Sequence, residues 1–295
     1  MLTRRSLLTA SLAVLSGCAL VDPNSGPAPL PTPTRSASPA REGVVEVHAA
    51  ASSALLGEWD ATQAELDVLG WIVSVCAEQA DALDIDLPEN PTAPAAGSNP
   101  LPELKKLLAS VRERYLAMAS DPRMAHTLLW ASMAAWTAGA TSALESKEPR
   151  LGIVRERMEP APGTPEETLG AAVSAAFETA YGLETIAGTP KLSKKDRSAL
   201  AKSASRWRSW GRALATESGL QDAAPEPFYG IGRPESAQGA ATLAGEMLTA
   251  LTFHLGRAIA HAEASWVPTL ADGLVQAAGE APGWGARADR WPGIP

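Results

Sequence analysis

Four histidines, His48, His126, His254 and His261, are the side chains best suited to metal or acid–base chemistry in this chain. A di-iron helical bundle needs single glutamates from two helices and Glu-x-x-His from two others. Val45, Arg123, Leu251 and Ala258 stand three residues before the histidines, so no Glu-x-x-His occurs. His254 and His261 share a helical stripe with Leu243, Met247, Ala250 and Arg257. Seven residues of helix span about 10.5 Å, too far for both imidazoles to hold one ion readily. Glu184, near the end of an apolar stripe, is the best candidate for a buried carboxylate and could meet either histidine or Arg257. That set reads either as a structural buried pair or as a polar pocket or vestigial metal site. Trp207 and Trp210 lie among Arg206, Arg208 and Arg212, a pattern open to a cation–π surface or to core packing flanked by solvated arginines. Gly-x-Ser-x-Gly, Ser-x-x-Lys and Cys-x-x-Cys patterns are absent, and Gly230-Ile231-Gly232 lacks a third glycine at dinucleotide-binding spacing. No catalytic residue and no metal or cofactor set is expected.

The remaining chemistry lies in the two cysteines. Cys76 falls on an apolar helical stripe and reads as an inert buried thiol. Cys18 follows Arg4 and Arg5, a short apolar run and Leu15-Ser16-Gly17. This is the charged, apolar, small order of an export signal, and the run is too short to span a bilayer. The Leu-Ser-Gly-Cys ending resembles the lipobox of bacterial lipoproteins, in which the cysteine thiol receives diacylglycerol and becomes the new N-terminus. Thr3-Arg4-Arg5-Ser6-Leu7-Leu8 also resembles a twin-arginine signal. Cleavage before Cys18 would leave 278 residues with 23 basic and 33 acidic side chains, a net charge of −10. Such a chain is a poor candidate for holding nucleic acid or anionic lipid by charge alone. With Cys18 acylated, one thiol remains and no internal disulfide can form.

The elements that must position these residues are helical. Residues 1–17 read as a signal peptide and residues 18–41 as a lipidated cysteine followed by a Pro-rich tether. From there, alanine and leucine dominate at spacings of three and four, which predicts an all-α fold. An N-terminal bundle region is expected over 42–148, a linker over 149–163 and a second helical region over 164–295. Helices are predicted at about 43–56 and 63–83, or these two as one long rod, and at about 103–119, 122–139, 165–186, 194–214, 236–265 and 268–281. Asp60, Asp121 with Pro122, Thr164 with Glu167, and Ser193 are the candidate starts, and Gly139 a candidate stop. Each half offers about four helices, which suggests a duplication without a residue-level repeat.

Residues 164–295 resemble the ferritin-like domain of actinobacterial lipoproteins, a family of unknown function (DUF4439). The resemblance rests on Ala180-Tyr181-Gly182-Leu183, on Pro227-Phe228-Tyr229-Gly230-Ile231 with Ala241-Thr242-Leu243-Ala244, and on the closing Trp291-Pro292-Gly293-Ile294-Pro295. Ser174 stands where the family carries a glutamate, and the Arg206–Arg212 stretch lacks the family's histidine. The resemblance implies a ferritin-like four-helix bundle on the outer face of a cell membrane and brings no activity with it. The expected function is a lipid-anchored, non-catalytic binding or scaffold module of the cell envelope, its partner an envelope protein or small ligand. The alternative is a ligand- or metal-handling protein using Glu184, His254, His261 and Arg257.

Overall fold

The computed structural model describes residues 39–88, 97–153, 161–220, 230–232 and 234–294, with side chains from Arg41 onward. Leu15, Ser16, Gly17 and Cys18, most of the tether and Phe228 lie outside them. The described residues form eight α-helices and no strand, an all-helical architecture. In chain order these are α1 Pro39–Leu56, α2 Gln63–Ala82, α3 Leu101–Ser120, α4 Thr127–Glu145, α5 Pro165–Ala187, α6 Lys194–Glu217, α7 Ala237–His261 and α8 Val267–Glu280, followed by a 3₁₀ turn, Ala281–Trp284.

Local chemistry accounts for most of the starts. Thr164 and Glu167 form the expected capping box, and Ser193 accepts from the Asp196 N–H. Thr62, not Asp60, caps α2, because Glu65 reaches back to its backbone. Asp121-Pro122 does not open α4. Asp121 ends α3 and spends its carboxylate on Arg123, while α4 begins only at Thr127, behind His126 in a left-handed conformation. Gly139 does not stop α4 either. The helix runs on to Glu145, and a Cβ at Gly139 would meet the Ala278 carbonyl of α8 at 3.4 Å, an ordinary contact.

Side-chain pairs fix the directions. Arg114 of α3 meets Glu46 of α1, and Lys105 at the start of α3 lies 3.3 Å from Glu145 at the end of α4. The second pair is therefore antiparallel, and so is the first, because the Gly97 N–H just before α3 bonds the Glu58 carbonyl just after α1. The short α1–α2 turn reverses the chain, so α2 and α3 are parallel. The second half repeats this plan. Gly211 of α6 packs on Phe177 of α5, and Arg257 of α7 lies by Gly163, just before α5. The α6–α7 connection, like that between α2 and α3, is the long one.

From Ser38 onward the chain is a single compact unit, and one hydrophobic core runs through both halves. α4 is the hinge of this packing. Residues 130–140 are all buried, as a helix apolar on every side must be. It lies against α8, while α3 also touches α8 and α7 touches α4. The seam thus pairs equivalent helices reciprocally, as a two-fold interface does.

Candidate binding cleft

The sequence-selected polar residues do not converge. Glu184 is exposed and pairs with Arg208 of α6. That bond holds its carboxyl below the usual range. His254 also faces outward, because α7 carries two apolar stripes. The one through Ala244, Leu248, Leu251, Leu255 and Ala258 takes the core. The stripe of Met247, His254 and His261 is left at the rim. Partial burial lowers the His254 pKa, Glu178 opposes this and Arg257 adds to it. His261 and Arg257 instead tie down the chain ahead of α5. The His261 ring nitrogen lies 3.2 Å from the Ala161 carbonyl, and Arg257 Nη2 donates to the Pro162 carbonyl at 2.9 Å.

The aromatic–basic cluster is also divided. Trp207 is fully buried and stacks edge-on with Trp210 at 5.9 Å. Trp210 in turn covers Gly273 of α8. Neither ring forms an open surface with the arginines, since α5 and α8 occupy that side. Arg206 pairs with Glu280, whose carboxylate also accepts from Ser203 Oγ at 2.5 Å. Cys76 is buried in the α2 core, and burial pushes its thiol well above the ordinary range, which leaves it unreactive.

Where α5 begins, α6 ends and α7 turns into α8, a cleft of about 520 Å³ opens. Leu169, Leu220 and Trp266 supply its apolar wall, and Glu166 and Glu263 stand at it as exposed carboxylates. The capping box holds the α5 end in place. Its hydrogen bonds to Thr164 lower the Glu167 pKa. The His261 and Arg257 clasp fixes the adjoining 161–163 segment. An aromatic ring beside two carboxylates suits noncovalent binding. Among the described residues, no group of three or more His, Cys, Asp or Glu side chains could hold a metal ion.

One polar cluster was invisible in the sequence. Arg290 donates to both carboxylate oxygens of Glu78 on α2, at 3.1 and 2.6 Å, and to Ser74 Oγ at 2.5 Å. Trp291 Nε1 donates to the same Glu78 at 3.3 Å. The C-terminal segment also makes a parallel bridge between Ala288 and Leu151, and Trp71 Nε1 reaches the Gly152 carbonyl at 3.1 Å. The end of the chain is therefore sewn to the first half. The only sequence cue was the tryptophan itself.

Among the described residues, no helix is long and apolar enough to cross a membrane. Comparison with known proteins found no matching family model, no similar curated protein and no similar solved structure.

Proposed function

We propose that this is a cell-envelope lipoprotein held on the extracytoplasmic face of a membrane by acyl lipid on Cys18, with its helical head serving as a non-catalytic binding or scaffold module. The observation that carries the reading is the order Arg4-Arg5, apolar run, Leu15-Ser16-Gly17-Cys18. Two or more acyl chains, each methylene contributing about 0.8 kcal/mol, would make the attachment long-lived. The head is read as ferritin-like in its second half. The support is topological: α5–α8 join by short turns and a single long crossover, as ferritin-like bundles do.

Intact mass and fractionation test the anchor. The native chain should start at residue 18, carry the added mass of diacylglycerol and sediment with membranes, whereas Cys18→Ala should lose the lipid. Equal membrane recovery of both forms, with residue 18 unmodified, refutes the anchor. Crosslinking in cells, with recurrent recovery of one envelope protein, would support the scaffold role.

The small-ligand reading is favoured by the cleft rather than by the Glu184 and histidine set. Its wall contains Trp266, so occupancy should shift indole emission in the native protein and not in Trp266→Phe. A screen that leaves the emission of both proteins unchanged counts against it.

A further inference from the structure

Net charge conceals a strong segregation. α6 holds seven of the chain's 25 lysines and arginines but only two of its 33 carboxylates. The helix therefore carries +5 in a chain of −8, and everything else sums to −13. The two carboxylates sit aside from the cations. Asp196 is bound to the Ser193 cap, and Glu217 is the last residue of the helix.

The cations also share a face. At 3.6 residues per turn, Lys194, Lys195, Lys202 and Arg212 fall within an arc of about 100°, on the side opposite Leu200, Trp207 and Leu214. All four are exposed, and among the described residues none has a carboxylate partner. Between them lie exposed Ser198, Ser205 and Ser209, small hydroxyls that leave the cations accessible. Glu184 and Glu280 neutralise Arg208 and Arg206 at the two edges, so the central strip stays uncompensated. From Lys194 to Arg212 it extends about 27 Å.

We propose that this face of α6 docks on an anionic phospholipid surface. The inference rests on the reading that the chain is held beside a bilayer. Whole-chain charge argued against such binding, but salt screens beyond about 8–10 Å, so the strip nearest the headgroups decides the attraction. The acidic remainder adds direction, since it is repelled by the same surface and turns α6 toward it. The cleft, which includes Ser218 and Gly219 just past the end of α6, would then open close to the headgroups.

The test uses the mature chain, residues 18–295 carrying Cys18→Ala, so that neither lipid nor the basic, apolar leader takes part, sedimented with vesicles of phosphatidylcholine alone or with 30 mol% phosphatidylglycerol. Binding to the anionic vesicles should exceed that to neutral ones about tenfold at 50 mM NaCl and vanish at 500 mM. It should fall about as far in K195E/K202E/R212E, whose exposed substitutions leave the thermal midpoint unchanged. Equal recovery on both vesicle types overturns the proposal, as does undiminished anionic binding by the triple variant. So does tight association with soluble polyphosphate but not with vesicles. The mass of residue 18 is read separately, so the anchor can fail while the docking face stands, and the reverse.

Discussion

Arg290 is the most heavily committed charge among the described residues. Its side chain is 7% exposed, and its guanidinium satisfies Glu78 and Ser74 together. Removing it leaves a partly sheltered carboxylate with Trp291 Nε1 as its remaining donor, so Arg290→Ala should lose about 2–3 kcal/mol in urea unfolding. Glu184→Gln breaks an exposed pair and should move the same measurement by no more than about 0.5 kcal/mol. Two histidines set the pH response. Burial lowers the pKa of both His48 and His254 below the ordinary 6.5, so the unfolded chain takes up protons first. Stability is complete above about pH 6.5 and declines as pH falls toward the folded values. Urea midpoints from pH 8 to 5 should show that decline, flattened in His48→Gln/His254→Gln. At this scale, reading from sequence succeeds where partners are neighbours. Thr164 and Glu167 are three positions apart, whereas Glu78 and Arg290 are 212 apart and no spacing rule joins them.

Among the elements, the helices follow the periodicity closely, and the errors have physical causes. Asp121-Pro122 carries a helix-start signal, but Arg123 competes for the aspartate. α7 offers two plausible apolar stripes, and only packing against α5 and α8 decides which one is interior. Gly139 reads as a helix stop, yet α4 continues through it, while Gly256 of α7 serves a close approach. A Cβ on Gly256 would stand 2.0 Å from the Gly293 carbonyl oxygen, so Gly256→Ala must displace the C-terminal segment. The expected cost is about 2 kcal/mol, accompanied by faster proteolysis after Trp284 and a red shift of Trp291 emission. Unchanged proteolysis would mean that α7 and the tail can separate without consequence.

The whole molecule is two similarly connected bundles joined through α4 and α8. Its surface charge is as uneven as its core is continuous, with α6 alone strongly basic. Neither property is visible in overall composition, because the continuous core depends on which helices become neighbours and the charge segregation on where along the chain the basic residues fall. The reciprocal seam has a practical corollary. A helix buried on all sides, such as α4, cannot stay soluble once α8 is withdrawn. Residues 1–153 and 161–295 produced as separate polypeptides should each self-associate, and on mixing should reassemble as a one-to-one heterodimer by light scattering. Such a pair would make the chain a ready split reporter, its signal switched on by whatever brings the two pieces together.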